Sequence, residues 1–205
     1  MASHAAATRV PQEERTRAMR ARLLEATVEL LVEKGYAGTS TTLVSERAGV
    51  SRGAQLHHFP TKQDLVVAAV KHVTEVRGAE LAAAAEGLPS DPRRRTRAVL
   101  QVLGDHFTSP VFTAALELWV AARTDPALLA EVAPLEQQVG RETHRLTVEL
   151  LDVDEKEPGV RALVQTTLDL VRGLGLAATI SDDTRRRNSV LDHWAATIDT
   201  YVGRA

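Results

Sequence analysis

Apolar residues return along this chain every three or four positions, the repeat of a helix that buries one face. Leu23, Thr27, Leu30 and Leu31 fall at i, i+4, i+7 and i+8 and predict a helix over 12–34. Pro11 marks its approach, and Gly35 predicts a left-handed cap at its end. A short helix over 41–48 follows Ser40, whose hydroxyl can accept from the free N–H groups of a first turn. Ala48-Gly49-Val50 ends it. Ser51 can cap a second short helix over 52–58, closed by Pro60 because the residue before proline avoids the helical region. From Lys62 to about Ala85 a long helix carries Leu65, Ala69, Val70 and Val73 on one stripe, until "EGLPSDP" breaks it. Helical patterns then occupy 91–106, 110–123 and 126–151, separated by Pro110 and the "RTDPA" turn. After the acidic loop "DVDEKEPG", two last stripes run from Val160 to Leu174 and from Val190 to Val202. The alternation of a strand is missing throughout, so the expected class is all-α with about nine helices and no internal repeat.

Composition agrees with this and narrows the chemistry. Hydrophobic residues make up 44% and aromatics 3%, with Ala, Leu, Val, Arg and Glu dominant, a balance that favours helices over sheets. Zero cysteines exclude disulfides, thiolate metal sites and a cysteine nucleophile. No apolar run approaches a membrane span, and "MASHAAATRVPQEERTR" lacks the apolar core of a signal peptide, so a soluble, cytoplasmic protein without a membrane partner is expected. The net charge of −2 is unevenly spread. Residues 1–62 hold nine Lys and Arg against six Glu, a balance of +3 that leaves −5 for the rest. This is either an anion-facing module on an acidic body or ordinary scatter.

The two short helices decide which question to ask. Joined by Ala48-Gly49-Val50-Ser51, they have the layout of a helix-turn-helix, in which a glycine permits the sharp turn and the second helix is presented outward. Such a helix fits the major groove of B-DNA. Arg52 lies in its first turn and Gln55 one turn on, where a guanidinium and an amide can meet base edges. The helix starts at Ser40 and Ser51 offer backbone N–H groups to phosphate, and Lys62 adds a cation on the same side. For Arg52 the alternative is a solvated surface side chain. His57 and His58 lack the spacing and company of metal ligands, which leaves a phosphate contact or a structural role.

The run "GYAGTSTTLVSERAGVSRGAQLHHFPTKQDL" resembles the N-terminal DNA-binding domain of the TetR family of transcriptional regulators. Its Gly-Tyr, Thr-Ser, Ala-Gly-Val-Ser, His-His-Phe and Lys landmarks stand in the family's order and spacing. With the first helix the resemblance covers about fifty residues, and the remainder matches in helix count and order. It implies phosphate contacts from Ser40, Thr41, His57, His58 and Lys62, and base-edge contacts from Thr42, Arg52, Gly53 and Ala54. Where most relatives have Leu-Tyr before the histidine pair, this chain has Gln55-Leu56. A tyrosine that commonly touches DNA is thereby absent, an amide stands at a position usually packed inward, and Leu56 can offer an apolar contact to a thymine methyl.

The expected organisation is a disordered tail over 1–11, a helix-turn-helix DNA-binding domain over 12–61, and an effector-binding and dimerisation domain over 62–205. A module of this kind reads duplex as a dimer on a palindromic site. Leu168, Val171, Leu174, Leu191, Trp194, Ile198 and Tyr201 on the last two helices are candidates for the seam, with Gly173, Gly175, Ala177 and Ala178 permitting close approach; intrachain core is the other reading. In between, Phe107, Phe112, Leu116, Trp119 and Leu146 mix with His106, Glu117, Arg123 and His144 in a combination that can line an apolar pocket or simply fill a core. The resemblance implies a small-molecule effector there, acting by preferring a dimer whose reading helices are mis-spaced, with the helix from Lys62 as transmitter. The function expected is a sequence-specific transcriptional regulator, a repressor released from its operator, with no cofactor. The alternative is an interaction or architectural module with a degenerate helix-turn-helix. An enzyme is not expected, since no nucleophile elbow, phosphate loop or metal motif is present, and Gly173-x-Gly175 lies inside an apolar helix pattern.

Overall fold

The computed structural model describes residues 12–204, so the tail expected to be disordered lies outside the described residues. Helices α1 (Gln12–Gly38), α2 (Thr41–Ala48), α3 (Arg52–His58), α4 (Lys62–Ala83), α5 (Pro92–Phe107), α6 (Pro110–Ala122), α7 (Pro126–Leu151), α8 (Val160–Ala178) and α9 (Thr184–Tyr201) follow in chain order, with a 3₁₀ turn at Ala84–Gly87. Among the described residues there is no strand.

Local chemistry sets most of these boundaries. Three helices open on the same device, an acceptor followed by proline: Asp91-Pro92, Ser109-Pro110 and Asp125-Pro126. The side chain accepts an N–H of the first turn, while proline, with no N–H to leave unpaired, takes the first helical position. Gly35 departs from expectation. At φ 66° and ψ 177° it does not cap α1 but kinks it, and a further turn runs on to Gly38.

Two apolar clusters hold the helices together. The first gathers Leu23, Leu30 and Leu31 of α1, Val44 of α2, and Leu65, Val66 and Ala69 of α4 with Ala114, Leu118 and Leu128 of α6 and α7. Packing therefore crosses Lys62 without a break, and α1 lies chiefly on α4 and α6. The second cluster joins α5, the end of α7, α8 and α9, with Trp119 touching both.

This second cluster takes five of the seven residues expected at the dimer seam out of a partner's reach. Val171, Leu191 and Ile198 are fully buried and Leu168 and Leu174 nearly so, all inside one chain, because α5 lies across the stripes of α8 and α9. Trp194 is half-buried and donates its indole N–H to Thr167 Oγ1 at 3.0 Å. Tyr201 is exposed and donates to the carbonyl of Pro158. Gly175 does serve a close approach, but within the chain: a Cβ there would collide with the carbonyl oxygen of Phe107. The outward side of α8 carries Ala162, Thr166, Gly173 and the exposed Leu176, and Ile180 just beyond it is 86% exposed.

Candidate nucleic-acid interface and ligand cavity

The paired short helices are fixed by their own caps. Ser40 Oγ accepts from Leu43 N and its carbonyl from Val44 N; Ser51 does the same for Ala54 N and Gln55 N. Between them Gly49, at φ 62°, donates to Glu46 O, and Val50 to Ser45 O. Ahead of the capped amides, those of Thr41, Thr42, Arg52 and Gly53 precede the first bonded turn of each helix.

The side chains divide into a face and a footing. Thr42, Ser51, Arg52, Gly53, Leu56 and His57 are exposed, and Ser40, Thr41, Ala54 and His58 are half-buried beside them. The imidazoles of His57 and His58 meet edge to face at 5.3 Å. Gln55 is the exception among the residues expected at DNA. Its side chain is fully buried, with Nε2 donating to the carbonyl of Phe59 at 2.6 Å and Oε1 buried without a partner. It therefore supports α3 from beneath and cannot reach a base edge. Phe59 completes the footing, with the guanidinium of Arg20 4.6 Å from its ring centre.

Two of the cations in the basic N-terminal region are occupied within the fold. Arg47 bridges Glu29 at 3.0 Å and Glu33 at 2.8 Å, tying α2 to α1; the hydrogen bond holds Glu33 below the usual carboxylate range and raises the arginine further. Lys62, expected on phosphate, is half-buried and donates from Nζ to the carbonyl of Tyr36 at 2.5 Å, with its ammonium 4.0 Å from the centre of that residue's ring. Burial lowers its pKa.

Deeper in the molecule, α4, α5, α6 and α7 enclose an apolar cavity of about 50 Å³, closed by Arg172 of α8. His106, Phe107, Phe112 and Trp119 line it as expected. Their rings form a chain of edge contacts, His106–Phe107 at 5.2 Å, Phe107–Phe112 at 5.4 Å and Phe112–Trp119 at 5.8 Å. The cavity shares Thr74, His106, Leu135, Val139 and Thr143 with a wider cleft of about 360 Å³ between α4 and α7.

Five expected members lie elsewhere: Leu146 lines only the wider cleft, and Glu117 accepts from the N–H of Tyr36 at 3.2 Å. Leu116 is half-buried off the wall, and Arg123 is exposed at the end of α6. His144 faces another cleft, where its ring nitrogens meet Glu155 at 2.9 Å and Gln165 at 3.0 Å. Sequence reasoning missed Glu136 and Arg172, the charged groups of the wall. Burial pushes the Glu136 carboxyl up, against the opposing pull of Arg172 and a hydrogen bond from Trp119. One sign was legible: Val132, Glu136, Val139 and Thr143 share a stripe, so a carboxylate sits on the inward face of α7.

Among the described residues no group of three or more His, Cys, Asp or Glu could hold a metal ion, and no helix is long and apolar enough to cross a membrane. A capped helix-turn-helix with an exposed polar face, carried on a helical body that encloses an apolar cavity, defines the class as a DNA-binding regulator. The model of the tetR family of bacterial regulatory proteins matches residues 23–69. The HTH-type transcriptional regulator CymR of Pseudomonas putida is 33% identical over 198 residues, 88% of this chain and 91% of that protein. A solved transcriptional regulator from a Rhodococcus species superposes with a TM-score of 0.70 at 25% identity, covering 88% of this chain and 96% of that one. The multidrug binding protein EbrR, solved with imidazole, does so with a TM-score of 0.60 at 26% identity, over 85% and 93%. The chain belongs to the TetR family and is a helix-turn-helix transcriptional regulator. Nothing among these relatives supports the reading as an interaction or architectural module.

Proposed function

We propose that the protein is a cytoplasmic homodimeric repressor that holds a palindromic operator and releases it when a small molecule enters the cavity of the body. Residues 12–61 act as the reading head and 62–205 as the effector-binding and dimerisation body, although one apolar cluster spans both. In this reading Arg52, Thr42, Gly53, Ala54 and Leu56 meet base edges, while Ser40, Thr41, Ser51, His57 and His58 grip phosphate. The observation that carries it is the division of α3: its inward side is taken by Gln55 alone, so that Arg52, Gly53, Leu56 and His57 all face outward together. A helix presented in this way can enter the major groove without unpacking anything beneath it.

The dimer is assigned to the outward side of α8 with α9. There the exposed Leu176 and Ile180 flank small residues, and the same surface on two copies would be self-complementary about a two-fold axis. The effector is assigned to the aromatic cavity, whose few polar groups, Glu136, Arg172 and His106, can orient a ligand. That EbrR was solved with imidazole supports a small-molecule reading of such a body.

Selection of DNA from a random pool by the full chain tests the head. The expected product is a palindrome bound in a strongly salt-dependent way. Failure to enrich any sequence would overturn the operator reading. Screening small molecules for release of that selected fragment tests the cavity, and a complex that no compound shifts would leave a constitutive binder.

A further inference from the structure

Three helices meet at one residue. α1 breaks at Gly35, whose φ of 66° and ψ of 177° belong to a region open essentially to glycine alone. At the break, the N–H of Tyr36 donates to Oε2 of Glu117 on α6 at 3.2 Å. The carbonyl of the same residue accepts from Lys62 at the start of α4. Two successive peptide groups thus point their positive end at a carboxylate and their negative end at an ammonium. Charge-assisted bonds of this kind are stronger than neutral ones, and neighbours in a chain polarise each other. A Cβ on residue 35 would stand 2.7 Å from Glu117 Oε2, so the carboxylate rests directly on bare backbone.

The junction links the head to the helix that forms the cavity wall. Glu117 belongs to α6, and Phe112 and Trp119 of the same helix line the cavity. The Tyr36 turn leads within a few residues to Ser40, the cap of α2. To reach a phosphate, Lys62 would give up both the carbonyl and the ring of Tyr36.

We propose that Glu117 is a positioning residue that, through Tyr36, fixes the tilt of α1–α3 against α6 and so the separation of the two reading helices, with Lys62 serving this junction rather than a phosphate. The proposal rests on the dimeric operator reading above. It gives the spacing of half-sites a specific structural origin outside the dimer seam.

The test compares the full-length protein and its variants on the palindrome that wild type selects from a random pool, and on the same fragment with its half-sites moved one base pair apart. Glu117→Ala is expected to lose about tenfold of the preference for the selected spacing, a typical coupling between sites, with the salt slope unchanged. Glu117→Gln keeps an acceptor for the Tyr36 N–H and should retain the preference. Lys62→Met should also weaken the preference while leaving the salt slope at its wild-type value. A Glu117→Ala protein as selective for spacing as wild type would overturn the proposal. A slope reduced by about 1 per half-site in Lys62→Met would return that lysine to phosphate. Amide exchange in folded wild type gives a readout that needs neither variant nor DNA. Strong protection of the Tyr36 N–H supports the junction, and exchange at the rate of an open loop overturns it, even if no palindrome is ever selected and the operator reading itself fails.

Discussion

α3 and α8 are both one-sided helices, and they use their two sides in opposite ways. α8 buries Val160, Leu163, Val164, Thr167, Leu168, Val171, Leu174 and Gly175 against its own chain. α3 buries Gln55 and nothing else. A helix of that length has no stability of its own, since nucleation alone outweighs its few hydrogen bonds. It persists because Ser51 caps its start, the Phe59 N–H bonds to Gln55 O at its end, and the Phe59 ring, just past that end, is buried in the core. The contrast separates two meanings of an apolar stripe. On α8 it marks where α5 lies, and the opposite side, proposed above for a second chain, stays open. On α3 the absence of a stripe is what leaves a whole face exposed, the one proposed above for DNA.

Substitutions can break this contrast, beginning where the largest effect is expected. Leu191→Ala removes a fully buried side chain from the cluster that α8 and α9 share with α5. It should lower the free energy of unfolding by ~2 to 5 kcal/mol in a denaturant titration. Unchanged unfolding together with a weaker dimer would place Leu191 in the seam after all. Arg52→Ala should cost ~1 to 3 kcal/mol of DNA binding, concentrated at particular base pairs of the selected site. A loss spread evenly over all sequences would move Arg52 to the phosphates.

Gln55→Leu gives up the bond to the Phe59 carbonyl, but it also removes a buried oxygen that has no partner and adds apolar contact. The balance should raise stability by ~1 kcal/mol and leave base preference unchanged. An altered base preference would mean that Gln55 reads DNA.

The smallest effect concerns the cavity and appears only as a dependence on pH. Because burial raises the Glu136 carboxyl above its ordinary 4.5, the folded protein takes up this proton more readily than the unfolded chain. The resulting stability is fully present below the unfolded value and is lost as pH rises through the folded one. Melting temperatures from about pH 4 to about pH 8 should therefore fall progressively for wild type relative to Glu136→Gln. A constant difference across that range would show that the carboxyl ionises in the fold as it does in water.

Much of the head is legible in the order of its amino acids, because its boundaries are written in adjacent residues. α2 and α3 begin and end where Ser40, Gly49 and Ser51 predict, since a cap acts across three or four positions. Gln55 is the point at which such reasoning ends. Its place after Arg52 is compatible with either side of a short helix, and only the packing of α3 on the core turns it inward. Lys62 raises the same difficulty in electrostatic form: nothing beside it in the sequence announces the backbone carbonyl 26 positions earlier to which it donates. In the cavity the aromatic residues are recognisable by type. Arg172 is not, because it approaches from a helix far along the chain.

The sequence by itself determined the all-helical class, the order of the helices, the helix-turn-helix and the family to which the chain belongs. Each of these depends on hydrogen bonds and steric limits between near neighbours, or on landmarks held at fixed spacing. Tertiary structure decided which apolar faces close on one another, that Glu117 and Lys62 converge on Tyr36, and that Glu136 faces Arg172 across an apolar cavity. Those outcomes depend on how helices distant in sequence cross, and the ridges that set each crossing are made by side chains from both partners at once.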